Sequence, residues 1–231
     1  MGYIKDLKDQ ALATLKGKWG SFVGLTFIYL LLAGIASGAT QFGEIFTGSS
    51  FSTLAMIMTS SGVLLTILAI PMQFGYVVAH LHSSRQDLPA DINDLFFGYK
   101  RFWKVLGTLL LQALAIVGGL ILFIVPGIIL SFAYAIVPLV LRDNPELSAV
   151  EVLQKSRVMM KGHKWELFLI YLSFIGWAIL CIFTFFIGYL WLAPYIQMTE
   201  VKFYEQLRAE FEGEYEENEP VEEAVPVEDA E

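Results

Sequence analysis

Every lysine and arginine of this chain, fifteen in 231 residues, falls in one of four segments: 5–18, 85–104, 142–164 and 202–208. Between the charges run four stretches free of Asp, Glu, Lys and Arg: Trp19–Gly43, Ile45–Ser84, Val105–Leu141 and Leu167–Thr199, of 25, 40, 37 and 33 residues. A helix needs about 20 apolar residues to cross a bilayer core of roughly 30 Å, so these stretches hold more than four crossings. Lys and Arg collect on the cytoplasmic side of membrane proteins. If all four basic segments share that side, each uncharged stretch, or pair of stretches, must leave and return. The spacing therefore predicts an all-α polytopic membrane protein with about six transmembrane helices in three hairpins, both termini being cytoplasmic.

The crossings are expected near 19–40, 62–82, 105–125, 128–142, 167–187 and 188–204, within a membrane domain of residues 1–212. A Gly/Ser/Thr-rich connection at 47–62 closes the first hairpin on the outside. The second is expected to turn at Pro126-Gly127, a dipeptide that ends helices, and the third near Gly188. A single kinked helix over 105–141 would instead place Arg142, Lys155, Arg157, Lys161 and Lys164 outside, against the charge rule. The return arms Ile128–Leu141 and Gly188–Thr199 are short, and length alone leaves six full crossings, five, or a re-entrant form open.

With 56% hydrophobic and 16% charged residues the chain is too apolar for an ordinary soluble domain. Its formal charge of −8 comes from one end: Glu205–Glu231 holds twelve acidic residues and one basic, leaving +3 on the rest. Residues 213–231 are expected to be a disordered, acidic cytoplasmic tail, solvated or docked to a basic partner. The N-terminal run does not read as a cleaved leader, because Asp6 and Asp9 precede an apolar stretch longer than a leader's. The lone Cys181 offers no disulfide framework and reads as a buried thiol.

A basic knot with a tryptophan recurs three times: "KGKW" at 16–19, "YKRFWK" at 99–104 and "KGHKW" at 161–165. Tryptophan favours the headgroup level, and lysine reaches just beyond it. Lys18, Trp19, Trp103, Lys104, Lys164 and Trp165 are thus read as interface anchors at the start of each outgoing helix. Ahead of each knot lies a helical apolar stripe: Ile4, Leu7, Ala11 and Leu15; then Ile92, Leu95, Phe96, Tyr99, Phe102 and Trp103; then Ala149, Val152, Leu153, Ser156, Met159 and Met160, opened by a Ser148/Glu151 capping box. Such stripes suit amphipathic helices lying in the cytoplasmic interface. Each return arm carries a proline, Pro71, Pro138 or Pro194. The pattern fits both triplication of one hairpin and simple repeated anchoring.

"VPGIILSFAYAIVPLVLRDNP" (125–145), "SRVMMKGHKWELFLIYLSFIGW" (156–177) and "APYIQMTEVKFYEQL" (193–207) resemble the bacterial integral membrane family called domain of unknown function 975, as does "ALATLKGKWG" (11–20). The resemblance spans roughly Tyr3 to Phe211. It implies a multi-pass protein of the bacterial cytoplasmic membrane and carries no known activity or catalytic residues.

No nucleophile elbow, phosphate loop, zinc-protease helix or dinucleotide fingerprint is present, so no catalysis, cofactor, metal or nucleic-acid partner is expected. His80 and His82 lie two apart and point to different sides of a helix; His163 reads as a headgroup-level donor. Gln73, Gln112 and Gln197 are the candidate intramembrane polar contacts; Gly20/Gly24 and Gly34/Gly38 on the first crossing are candidate close-packing pairs, and Gly75, Gly118, Gly119 and Gly176 invite the same reading. Two functions fit: a non-catalytic scaffold or accessory protein, with the bilayer and a protein at the cytoplasmic face or tail as partners; or a transporter or lipid-handling protein with a cavity between proline-bent helices.

Overall fold

A computed structural model describes residues 2–46 and 53–218. The described residues are helical, with no strand among them: α1 (Gly2–Leu15), α2 (Trp19–Phe46), α3 (Thr53–Gln86), α4 (Ile92–Leu95) with a 3-10 turn at Phe97–Arg101, α5 (Phe102–Leu122), α6 (Ile124–Ala133), α7 (Val137–Asp143), α8 (Ala149–Met159), α9 (Lys164–Leu172), α10 (Ile175–Phe183) and α11 (Tyr189–Asn218). Four segments are long and apolar enough to cross a membrane: Leu64–Gln86, Ile92–Leu122, Ile124–Asp143 and Lys164–Phe183. α1 and the Trp19–Ile35 part of α2, bent through 95°, make a fifth if the pair counts as one span. Part of the connection expected at 47–62 lies outside the described residues, as does 219–231 of the acidic tail. Between Gly213 and Asn218 the chain is still helical, a continuation of α11.

The core sits where the charges are. Leu81 of α3, Val137 and Val140 of α7, Val152 of α8, and Val201, Phe203 and Tyr204 of α11 are at most 1% exposed and form one cluster. At the other end the tips are bare: Phe123 is 70% exposed and Phe185 88%. The polarity of this arrangement follows from the solvent. Water drives apolar side chains together, whereas lipid is as apolar as leucine and leaves helices to meet by shape and hydrogen bonding.

Two elbows explain the repeated knots. Gly17 (φ 79°) and Gly162 (φ 95°) both take the left-handed conformation that a side chain resists. Gly17 turns α1 into α2 through 95°, and Gly162 lies between α8 and α9. The next helix then begins at the Lys/Trp pair, α2 at Trp19 and α9 at Lys164. Gly17→Ala and Gly162→Ala are each expected to cost about 1–2 kcal/mol, since neither position has a neighbour within 4 Å that a methyl would strike. Thermal unfolding in detergent measures this, and asparagine at either site is expected to cost less.

The stripes are used differently from the expectation. Those of α1 and α8 are covered mostly by protein, not lipid: Leu7, Ala11, Leu15, Val152, Leu153, Ser156, Met159 and Met160 are buried, and Ile4 and Ala149 half-buried. A helical period marks an apolar face but cannot say what covers it. In the second stripe Leu95 is fully buried, but most of the rest stays open, with Ile92 49%, Phe96 48%, Tyr99 38% and Trp103 81% exposed.

Two local expectations are corrected. The second turn falls at Phe123, in extended backbone, three residues before Pro126-Gly127. Pro126 instead sits in the first turn of α6, where a missing N–H costs nothing. Gly127 lets α6 lie against α5 at Gly119 and Leu120. Gly20 and Gly24 face open space rather than a neighbouring helix. Close approach occurs at Gly75 and Gly98, where α3 meets the segment after it: a methyl on Gly75 would lie 2.0 Å from the Leu95 carbonyl oxygen, and one on Gly98 2.2 Å from that of Pro71.

Candidate functional site

The charged end is organised on one carboxylate. Asp143 closes α7 with 8% of its side chain exposed. Arg85, from the last turn of α3, donates to both its oxygens, Nη1 to Oδ1 at 2.7 Å and Nη2 to Oδ2 at 2.6 Å. The Tyr204 hydroxyl and Arg208 Nη1 of α11 donate to Oδ2 at 2.8 and 3.0 Å. Forked, charge-assisted bonds of this kind are both strong and directional. One carboxylate therefore ties α3, α7 and α11 together.

Neighbouring groups widen the network. Glu205 accepts from the Ser84 hydroxyl at 2.8 Å and from Lys202 at 3.1 Å, with Arg85 Nε at 3.7 Å. Arg208 Nε donates to Glu212 at 2.7 Å, and that bond, with Asp143 beside it, holds the guanidinium above its ordinary pKa. Lys18 reaches Asp87 at 2.5 Å, and His163 lies 3.7 Å from Glu210. Side chains thus link all four basic segments.

A second relay runs through His82. Arg142 Nη2 donates to His82 Nε2 at 2.7 Å, and His82 Nδ1 donates to Asp94 at 3.0 Å. A guanidinium has no acceptor, so the imidazole proton belongs on Nδ1 in this arrangement. His80 is fully buried against Phe22 and Tyr76, its Nδ1 2.8 Å from the Tyr76 carbonyl. The two histidines share no partner, and among the described residues no cluster of His, Cys, Asp and Glu has metal-binding geometry.

Beside Asp143, a groove of about 780 Å³ runs between α8 and α11. Glu146, Glu151, Lys155, Arg208 and Glu212 rim it. Its α8 wall opens with the capping box: the Ser148 hydroxyl accepts from the Glu151 amide, and the Ser148 amide donates to Glu151 at 2.7 Å. Hydrogen bonding to Ser148 holds the exposed Glu151 carboxyl below its ordinary range.

The anchors occupy three different surroundings. Trp19 packs on the buried cluster of Ala11, Leu15, Phe22 and Met198. Trp103 is exposed, and Trp165 is 65% exposed and stacked on Phe168 at 4.9 Å. Lys104 donates to the Pro145 carbonyl; Lys164 begins α9. The three glutamines are not brought together. Gln73 is exposed on α3, Gln112 donates to the Tyr134 carbonyl at 3.0 Å, and Gln197 donates to Glu200 at 3.1 Å.

A cavity of about 510 Å³ lies elsewhere, walled by Trp19, Trp177, Trp191 and Tyr195 with Lys8 at its edge. Lys8 Nζ donates to the Ser173 hydroxyl at 3.2 Å and sits 4.1 Å from the Phe174 ring centre.

Two central groups were not singled out from sequence. Asp143 stands next to Arg142 at the end of an uncharged stretch, where a flanking charge is ordinary. Glu200 receives the Tyr171 hydroxyl as well as Gln197; its only signal was an acid at the border of the stretch ending at Thr199.

No curated protein and no solved structure matches the chain. A family model described as protein of unknown function (DUF975) matches residues 115–210. The matched part holds α6 to α10 and most of α11, with Arg142, Asp143, Tyr204 and Arg208, and leaves out α1 to α4. Over these residues the chain is similar to the DUF975 family.

Proposed function

We propose that the protein is a non-catalytic scaffold or accessory protein of the bacterial cytoplasmic membrane. Six crossings form three hairpins, the charged end and both termini lie in the cytoplasm, and a partner protein docks at that face or on the acidic tail. The single observation that carries this reading is the Asp143 network. It fixes α3, α7 and α11 into a rigid platform beside an open groove, and its charges are spent on each other rather than aimed at a reacting centre. Native mass spectrometry of the chain extracted gently from its own membrane tests it, with the full chain compared against one ending at Gly213. A stoichiometric protein partner is expected. Loss on truncation assigns it to the tail, and retention assigns it to the platform; a chain that carries lipid alone contradicts the reading.

The tryptophan-walled cavity favours a second reading, lipid handling or transport of an amphipathic molecule. An apolar slot with a cation at its edge suits a chain with an anionic head. Under that reading, Trp177→Ala with Trp191→Ala removes a co-purifying lipid while leaving the melting temperature within a few degrees.

A further inference from the structure

A small cavity of about 160 Å³ opens beside the second knot. Three cations line it from three elements: Arg101 from the 3-10 turn, Lys104 from α5 and Arg142 from α7. Phe74 and Phe97 make the apolar floor. Like charges converging on one space repel, and proteins normally interleave a carboxylate. Here, among the described residues, no carboxylate lies within 4 Å of any of the three.

Three of the acids nearby are committed to other partners, and the fourth, Glu146, rims the groove beside α8. Asp143 serves Arg85, Tyr204 and Arg208. Asp94 is reached only through His82, and Glu151 is taken by its capping box, acting on Lys104 only through space and not in contact. What the cations do find is neutral. Arg101 Nη1, at 2.9 Å, and Lys104 Nζ both donate to the one carbonyl of Pro145. Arg142 spends Nη2 on His82, its guanidinium lies 4.7 Å from the centre of the Phe97 ring, and its Nε is buried with no hydrogen-bond partner. A buried donor without an acceptor and three cations without a carboxylate in contact describe a site for an oxyanion.

We propose that Arg101, Lys104 and Arg142 bind a phosphate group, that of an anionic lipid headgroup or a free phosphate. The surroundings favour the lipid. Trp103, between Arg101 and Lys104, is 81% exposed, and Ile92, Phe96 and Tyr99 of the same unit also remain open. A tryptophan beside cations marks the headgroup level, and basic pockets between membrane helices take lipid headgroups there. The cavity is several times smaller than the groove beside α8 and the tryptophan-walled slot. It receives the phosphate and leaves the acyl chains against the exposed stripe. The assignment stands or falls apart from the scaffold reading, because it needs no protein partner.

Native mass spectrometry of the full chain in mild detergent, titrated with phosphatidylglycerol and separately with phosphatidylcholine, tests the site. The wild type is expected to retain one phosphatidylglycerol about tenfold more tightly than phosphatidylcholine, and Arg101→Gln with Lys104→Gln to abolish that preference. Lys100→Gln removes a neighbouring charge that lies over Phe97, 5.3 Å from its centre, and does not line the cavity; it is expected to keep the preference. Each variant's melting temperature without lipid shows that it folds. Should the double variant unfold, Arg101→Gln and Lys104→Gln singly are each expected to weaken the preference severalfold. A rise in wild-type melting temperature with inorganic phosphate, lost in the variants, identifies free phosphate as a second source. Equal retention of the two lipids by the wild type with no response to phosphate, or a preference unchanged in the variants, overturns the proposal.

Discussion

Asp143→Asn is expected to destabilise the protein by roughly 3 kcal/mol, more than any other charge-removing substitution at the charged end. The substitution keeps the shape of the side chain and removes the anion that faces two guanidiniums. Breaking a buried ion pair from one side costs about 3–5 kcal/mol, because the remaining charge stays out of water without compensation. The lower figure applies here, since Arg85 and Arg208 are 34% and 40% exposed and recover part of their hydration. Glu212→Gln, which removes the other carboxylate of Arg208, is expected to change stability by only about 0.5 kcal/mol, because that pair is exposed. Scanning fluorimetry in one detergent compares the two. A melting temperature for Asp143→Asn equal to that of Glu212→Gln would remove the carboxylate from the centre of the fold.

Gly75→Ala is the second substitution expected to act strongly, and it acts through shape alone. Its methyl would stand 2.0 Å from the Leu95 carbonyl oxygen and 2.6 Å from that of Asp94. Both are backbone atoms, so no rotamer change gives relief, and α4 must move off α3. The cost is expected near the top of the overpacking range, about 3 kcal/mol. Undocking α4 would also pull Asp94 from His82 and free Phe97 from its place beside Phe74. Limited trypsin digestion reads this directly, as faster cleavage at Lys100 and Arg101 than in the wild type. Gly107→Ala, in α5 with open space around it, is expected to leave the digestion unchanged.

Charge placement and local backbone chemistry were the legible parts of this fold. The four basic segments end in one linked layer because charges avoid the uncharged stretches, and that avoidance is written in the residue types. The Ser148/Glu151 box is also a local rule, and the structure forms both of its hydrogen bonds. The elbows at Gly17 and Gly162 show why a glycine belongs in two of the three knots: a side chain would resist the required backbone angle.

What could not be read depends on which helix meets which. The stripes of α1 and α8 have the period of membrane-surface helices, and only tertiary contacts reveal that protein covers them. Gly20 and Gly24 carry the familiar spacing yet face open space; Gly75, read as a close-packing candidate without that spacing, and Gly98, which no pattern marks, make the closest backbone approaches. Asp143 and Arg142 looked like flanking charges of a hydrophobic run. Their roles arise from α3 and α11, far away in sequence. The glutamines were singled out because polar groups are scarce at membrane depth, and the structure gives each a separate position.

Under the proposed topology the four basic segments lie on the cytoplasmic side and each uncharged stretch, or pair of stretches, returns to it. Cysteine labelling with a membrane-impermeant maleimide tests it most directly, using single cysteines placed at Ser50, Asp87 and Ser148 in a Cys181→Ala background. On intact cells the cysteine at position 50 is expected to react, while those at 87 and 148 react only after the membrane is opened. Labelling of position 87 or 148 from outside, or protection of position 50 until the membrane is opened, would contradict the account.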